Sequence, residues 1–97
     1  MSAEPPEAPE PREIAIVNKR GLHARAAAKF VQTVERFDAN VTVVRDGHSV
    51  GGDSIMGLMM LAAAPGTSVM VAASGREARE ALDAIEALLK SGFGEDE

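Results

Sequence analysis

A tight turn between two strand-like segments constrains the fold of this chain more than any other feature. Residues 41–44 (VTVV) and 48–50 (HSV) are typical of short strands, and Asp46 and Gly47 stand between them. Asp-Gly suits a two-residue hairpin because both central positions of such a turn adopt positive φ. The two segments are therefore predicted to be neighbouring antiparallel strands.

Strands and helices alternate along the rest of the chain. Residues 14–17 and 69–72 are typical of strands. Apolar side chains at spacings of three and four predict two long helices. Their stripes are Ala27, Phe30, Val31, Val34 and Phe37 in the first helix, and Ala78, Ala81, Leu82, Ile85, Leu88 and Leu89 in the last. Two long amphipathic helices are therefore available to cover a sheet.

Two capping motifs mark the starts of further helical segments. An apolar, Met-rich segment over 54–61 is predicted to form a short helix capped by Asp53 or Ser54. Ser74 and Glu77 have the spacing of a capping box, in which each side chain bonds the other's backbone N–H, and they predict the start of the last helix. The resulting order, βαββαβα, indicates an α+β domain. We expect the long helices on one face of the sheet and solvent on the other.

The length of the chain and the composition of its ends indicate one domain with two tails. Ninety-seven residues suffice for a single compact domain. Residues 1–12 hold four of the five prolines, and no large apolar residue follows Met1, so this segment is expected to be disordered. Residues 92–97, with two glycines and three acidic residues, are expected to fray. The folded domain is therefore expected to span 13–91.

Composition argues against several classes of function. A net charge of −5 and only three aromatic residues argue against nucleic-acid binding, which relies on basic surface and base stacking. The absence of cysteine rules out disulfides and thiolate metal sites, and the two histidines lack carboxylates at a metal-ligand spacing. No apolar run approaches the roughly 20 residues needed to span a bilayer, and the N-terminus lacks a signal-peptide pattern. We therefore expect a cytoplasmic protein without a metal site or a membrane contact.

His23 occupies the position where chemistry is expected. It stands between the first strand and the first helix, just after Gly21, which permits a tight turn. Unpaired backbone N–H groups and the helix dipole favour an anion at such a helix start. An imidazole there can offer a ring nitrogen for attack on phosphorus, and Arg25 could neutralise the arriving oxygens. The residues alone also allow a capping histidine beside a solvated arginine, so they predict an anion site without identifying the anion.

Two motifs together resemble a known family. Residues 21–25 (GLHAR), followed by small residues, are similar to the active-site signature of HPr proteins, the histidine-containing phosphocarriers of the bacterial phosphotransferase system. A second segment, 54–61 (SIMGLMML), begins 31 residues after His23 and resembles the regulatory serine and short helix of that family. The resemblance extends from about Glu13 to Leu89, and the order of the elements agrees.

The resemblance implies a fold and a relay function. The family fold is an open-faced sandwich, a four-stranded antiparallel sheet with three helices on one side. His23 matches the histidine that phosphorylated enzyme I modifies on Nδ1, with phosphoenolpyruvate as the ultimate donor, before the group passes to an enzyme IIA domain. Arg25 matches the arginine that stabilises the phosphate, although Ala26 replaces the proline that usually follows it. Such a carrier uses no cofactor and is a substrate of enzymes rather than an enzyme.

The resemblance also implies regulation and a docking surface. Ser54 matches the regulatory serine that HPr kinase/phosphorylase modifies in lineages that possess this enzyme. A docking patch for partner proteins is expected around the two motifs. Its residues are Leu22, Ala24, Ala28, Ile55, Met56 and Met59. Leu58 and Leu61 are expected to fill the core instead, and flexible methionines suit a surface that must fit several partners.

Other functions stay open at this stage. The chain could be a regulatory interaction protein of a nitrogen-type phosphotransferase branch, controlled by phosphorylation of Ser54. It could also be an α+β module that binds an anion at the first helix without transferring a phosphoryl group. The sequence does not distinguish sugar uptake from the nitrogen-type branch, and it does not identify the enzyme IIA partner. We expect a monomer, because a carrier must present one face to successive partners.

Overall fold

The strands and helices follow the predicted order. The computed structural model describes residues 8–61 and 63–95. The strands are β1 (Arg12–Ala15), β2 (Asn40–Arg45), β3 (His48–Gly51) and β4 (Ser68–Ser74), the helices are α1 (Ala24–Val34), α2 (Ile55–Met60) and α3 (Ala78–Lys90), and a 3-10 turn follows at Gly92–Gly94. Within this part of the chain, no helix has the length and apolar character needed to cross a membrane. The order βαββαβα is confirmed.

All four strands join one antiparallel sheet in the order β1-β4-β2-β3. The hairpin between β2 and β3 turns at Asp46 and Gly47, whose φ angles are 51° and 78°, as the Asp-Gly motif predicts. In the middle of the sheet, Val43 lies opposite Val71 on β4 and Val50 on β3. The α+β class predicted from the sequence is confirmed.

One face of the sheet carries the core. Ile14, Val43 and Val71 are buried on this face. Their chain neighbours Glu13 and Met70 are exposed, because successive side chains on a strand point to opposite faces. The apolar stripes of α1 and α3 belong to the same core, and α1 also packs against α2 and α3. The three helices therefore share one side of the sheet, and the other side faces solvent.

The sheet begins earlier than the apolar pattern predicts. β1 starts at Arg12, inside the expected N-terminal tail, whereas the pattern predicts a strand over 14–17. The guanidinium of Arg12 lies 2.8 Å from Asp83 and 2.9 Å from Glu86, both on α3. These ion pairs tie the polar start of the strand to the helix layer, a contact that hydrophobic periodicity does not reveal. Residues 1–7 of the expected disordered tail lie outside the described residues.

The start of α3 differs from the predicted capping box. Ser74 is the last residue of β4, and the helix begins at Ala78 after the cap residue Glu77. The side chain of Glu77 makes no capping bond, and its carboxylate accepts the backbone N–H of Asp38 at 2.8 Å. The capping-box prediction is wrong because strand pairing holds Ser74 opposite Asn40, while Glu77 ties the start of α3 to the loop before β2.

The C-terminal end packs against the domain instead of fraying. Phe93 is 1% exposed, and its carbonyl accepts a hydrogen bond from Lys29 Nζ of α1 at 2.6 Å. Gly92–Gly94 all have positive φ, at 65°, 61° and 68°. We call Gly92–Glu95 the C-terminal strap. The expected fraying is wrong for the strap, because burial of an aromatic ring offsets the cost of a left-handed backbone; residues 96–97 lie outside the described residues.

Candidate functional site

A turn built around Gly21 leads from the sheet into α1. Gly21 has a φ of 66°, in the left-handed region that favours glycine. A Cβ at this position would lie 2.5 Å from the carbonyl oxygen of Ala63. The same oxygen accepts the backbone N–H of Leu22 at 3.0 Å. The close approach of these two chain segments therefore requires glycine, and it sets the position of His23.

His23 is the N-cap residue of α1, at the helix start that the sequence predicts. Its backbone is extended (φ −81°, ψ −178°), and its carbonyl accepts the N–H of Ala27 at 2.8 Å. Its Nδ1 accepts the backbone N–H of Arg25 at 3.2 Å. The amides of residues 24–26 have no acceptors inside the helix. Nδ1 therefore lies at the positive end of the helix dipole and contacts one of these donors.

The other ring nitrogen of His23 contacts the C-terminal strap. Nε2 lies 2.5 Å from a carboxylate oxygen of Glu95, and the two side chains are only 17% and 13% exposed. The second carboxylate oxygen of Glu95 accepts a hydrogen bond from Asn18 Nδ2 at 3.0 Å. Asn18 is buried, and its Nδ2 also donates to Gly21 O at 2.7 Å. The imidazole, the carboxylate, the buried amide and the Gly21 turn thus form one hydrogen-bonded network.

Sequence reasoning missed Asn18 and Glu95. Glu95 is 72 residues from His23 along the chain, and its place after two glycines is typical of a frayed end. Asn18 lies just before the turn, where an asparagine is ordinarily explained as a turn former. The one sequence signal for an anchored end is Phe93, because a large aromatic residue near a terminus favours burial.

Arg25 provides a cation on the first turn of α1. Its side chain is exposed. In the part of the chain that the structure describes, its guanidinium has no hydrogen-bond or ion-pair partner. It can therefore meet an incoming anion without first breaking another contact. The next residue, Ala26, is fully buried, so the packing accommodates a small side chain where the family signature usually has proline.

Ser54 is the N-cap residue of α2. Its hydroxyl oxygen accepts the backbone N–H of Gly57 at 3.0 Å. Between the two caps that the sequence allows, Asp53 and Ser54, the structure therefore selects Ser54. The side chain is partly exposed, and α2 packs against α1. Ser54 and His23 thus stand at the starts of two helices that pack together.

Exposed apolar side chains on α2 form a surface that we call the α2 patch. Its residues are Ile55, Met56, Met59 and Met60. Met60 is an addition to the residues expected from the sequence. Leu58 and Leu61 are buried, as expected. The helix therefore divides into a leucine side in the core and a methionine-rich side in solvent.

The part of the expected docking patch in and just before α1 is only partly accessible. Ala24 is exposed and Ala28 is partly exposed. Leu22 is buried and belongs to the core. Its side chain is therefore not available at the surface, and its backbone N–H is held by Ala63 O.

The second histidine of the chain lies on the sheet. His48 is exposed on β3, opposite Arg45. Among residues 8–61 and 63–95, no cluster of three or more histidine and carboxylate side chains could hold a metal ion.

Comparison with known proteins identifies the family. Residues 11–91 match the family model described as the PTS HPr component phosphorylation site. The chain belongs to the HPr family. It is therefore a phosphocarrier protein of the phosphotransferase system, a component of a relay and not itself an enzyme.

Individual HPr proteins resemble the chain over most of its length. Phosphocarrier protein HPr of Neisseria meningitidis is 48% identical over 86 residues, covering 89% of this chain and 97% of the relative. Phosphocarrier protein NPr of Shewanella violacea is 40% identical over 84 residues, covering 87% and 92%. The crystal structure of HPr-C-His from Thermoanaerobacter tengcongensis matches with a TM-score of 0.86 at 42% identity, covering 91% and 99%. The open-faced sandwich expected from the HPr resemblance is confirmed.

Proposed function

We propose that this chain carries its phosphoryl group on Nδ1 of His23, accepts it from phosphorylated enzyme I and donates it to an enzyme IIA domain. The observation that carries the proposal is the imidazole at the N-cap of α1, with Nε2 against Glu95 and Nδ1 against a first-turn amide. A neutral ring with its proton on Nε2 has its lone pair on Nδ1. The nitrogen at the helix start is therefore the nucleophile.

The start of α1 suits the phosphorylated product as well as the nucleophile. The lone pair of Nδ1 forms the new bond to phosphorus, and the bond to the donor breaks, its electron pair leaving with the donor. The phosphoryl oxygens then replace Nδ1 as acceptors for the first-turn N–H groups, which favour an anion. Arg25 adds charge-assisted hydrogen bonds from its exposed guanidinium. The backbone and one side chain together supply the positive charge that the transfer needs.

Docking and regulation belong to the same proposal. The α2 patch and the accessible alanines Ala24 and Ala28 lie on two helices that pack together, so we assign them to the successive binding of enzyme I and enzyme IIA domains. Ser54 lies at the start of α2, beside this apolar surface. We assign it as the target of an HPr kinase/phosphorylase. A phosphate there would add a charge of about −1.5 to −2 next to the docking surface and weaken partner binding.

A second function is favoured by one relative. The similarity to an NPr protein supports a nitrogen-type branch, in which the chain would act as a regulatory interaction protein controlled through Ser54. In either branch we propose a monomer in the cytoplasm, because the carrier must present the same face to successive partners. The branches differ in their acceptors and not in the chemistry at His23. Phosphoryl transfer from the chain to purified enzyme IIA domains of each branch distinguishes them.

Replacement of His23 tests the proposed carrier role. Asparagine is among the best N-cap residues, so His23→Asn should fold normally while lacking the nucleophilic nitrogen. We expect it to lose labelling from phosphoenolpyruvate and enzyme I, and we expect the wild type to acquire an acid-labile phosphoramidate. His48→Asn is the matched control and should be labelled like the wild type. Labelling that persists in His23→Asn and disappears in His48→Asn would contradict the assignment.

A further inference from the structure

Glu95 presents a carboxylate to the ring nitrogen of His23 that does not bond phosphorus in the proposed function. The separation from Nε2 is 2.5 Å, and both side chains are largely shielded from solvent. Water therefore weakens this contact less than it weakens an exposed surface pair. The other carboxylate oxygen accepts the hydrogen bond from Asn18 Nδ2. The carboxylate is thus oriented through both of its oxygens.

The C-terminal strap that carries Glu95 is anchored independently of His23. The ring of Phe93 is buried in the core, and Lys29 Nζ donates to its carbonyl oxygen. Phe93 has a φ of 61°, which is uncommon for a residue other than glycine. Such a backbone conformation persists where the surrounding structure determines it. The core and α1 therefore set the position of the strap. The carboxylate is presented to the imidazole by contacts that do not involve the imidazole.

We infer that Glu95 is a positioning residue for phosphoryl acceptance, an inference that rests on the proposed role of His23. A carboxylate accepts a hydrogen bond from Nε2 only when that nitrogen carries a proton. Glu95 therefore selects the tautomer whose lone pair is on Nδ1. The side chain fixes both the proton and the orientation of the ring before the donor arrives.

The same carboxylate stabilises the charge that develops during transfer. As the Nδ1 lone pair bonds to phosphorus, the ring becomes positive and part of that charge appears at Nε2–H. The proton stays on Nε2, and the electron pair of the broken bond leaves with the donor. A buried carboxylate against an imidazole nitrogen stabilises the imidazolium of a Ser-His-Asp triad in the same way. Glu95 acts through the ring and does not touch the phosphoryl group.

Two substitutions that remove the negative charge of Glu95 test the inference. Glu95→Gln keeps the size of the side chain and loses its charge, and Glu95→Ala loses the contact altogether. Glu13→Gln is the matched control, because Glu13 is exposed on β1 and the same charge is lost. Two quantities are measured on the full-length chain in addition to its melting temperature. They are the ¹⁵N chemical shifts of the His23 ring, which report its tautomer, and the rate of phosphorylation by enzyme I with phosphoenolpyruvate.

Both Glu95 variants should lose population of the Nε2–H tautomer and react more slowly. We expect the rate to fall about ten-fold, as for the loss of one charge-assisted hydrogen bond. Glu95→Asp, which keeps the charge on a shorter side chain, should recover part of the rate. The melting temperature should change little, because Phe93 still anchors the strap. The Glu13→Gln control should match the wild type in all three measurements.

Unchanged tautomer populations and rates in Glu95→Gln would overturn the inference. A faster rate would also overturn it, because the carboxylate would then be repelling the incoming phosphoryl group. A lower melting temperature with the tautomer and the rate unchanged would assign Glu95 a structural role only. Failure of the proposed function looks different: the wild type itself would not be labelled on His23, while its ¹⁵N shifts would still respond to Glu95→Gln.

Discussion

Replacement of Gly21 by alanine should destabilise the turn that positions His23. The added Cβ would lie 2.5 Å from Ala63 O, closer than Cβ atoms normally approach another atom. Both the Cβ and the carbonyl oxygen are fixed to the backbone, so no change of rotamer relieves the clash. The two chain segments must move apart, which weakens the bond from Leu22 N to Ala63 O. The substitution therefore acts on the backbone conformation and on a tertiary hydrogen bond together.

The expected loss of stability has two parts. A left-handed backbone costs an L-residue about 1–2 kcal/mol relative to glycine. Loss of the backbone hydrogen bond costs about 0.5–1.5 kcal/mol. The free energy of unfolding of Gly21→Ala should therefore fall by roughly 2–3 kcal/mol. For a domain of this size, 1 kcal/mol shifts the melting temperature by about 4–8 °C, so we expect a decrease of roughly 10–20 °C.

Gly47→Ala separates the two parts of this cost. Gly47 has a φ of 78°, but no atom beyond its chain neighbours would lie within 4 Å of an added Cβ, so alanine costs only the left-handed backbone. Thermal unfolding followed by circular dichroism gives the melting temperatures of the wild type and of both variants. We expect the larger loss in Gly21→Ala, with slower phosphorylation, because His23 N donates to Gly21 O at 2.9 Å. Equal losses in the two variants would refute the argument that Ala63 enforces glycine.

Substitutions at two further positions examine the surface of the site. Arg25→Ala should slow phosphorylation about ten- to hundred-fold, as expected for a lost contact of roughly 1.5–3 kcal/mol. Its melting temperature should not change, because Arg25 is exposed, and wild-type kinetics would mean that the guanidinium is only solvated. Ser54→Asp keeps an N-cap, so it should slow phosphorylation by enzyme I without lowering the melting temperature. Ser54→Ala should lose about 1 kcal/mol of stability at an unchanged rate. Equal rates in wild type and both Ser54 variants would remove the regulatory role of Ser54.

Local sequence patterns were enough to predict the structure where residues close together in the chain decide the conformation. The hairpin follows from Asp46 and Gly47, which both have positive φ. The start of α2 follows from the capping residues Asp53 and Ser54, and the structure selects the hydroxyl oxygen of Ser54, which accepts the N–H three residues later. The helix start next to His23 follows from the predicted apolar stripe of α1, whose first residue is Ala27. In each case the deciding interaction lies within one turn of the chain.

Sequence reasoning failed where a distant group competes with a local rule. Ser74 and Glu77 have the spacing of a capping box, yet Glu77 accepts the N–H of Asp38, 39 residues away. The bond to Asp38 and the pairing of Ser74 with Asn40 outweigh a cap worth about 1 kcal/mol. Arg12 likewise extends β1 because carboxylates of α3 meet its guanidinium. The N–H of Asp38 and the carboxylates of α3 can be recognised as partners only when the helices have packed against the sheet.

The sequence by itself determines the α+β class, the buried faces of α1 and α3, and a histidine at the start of α1 with an arginine beside it. Turns, caps and periodicity act over about four residues, so they can be recognised without the fold. Only the tertiary structure decides which carboxylate meets His23. Glu95 comes from 72 residues away, brought there by the burial of Phe93, and that burial is favourable only once the helices and the sheet enclose the ring.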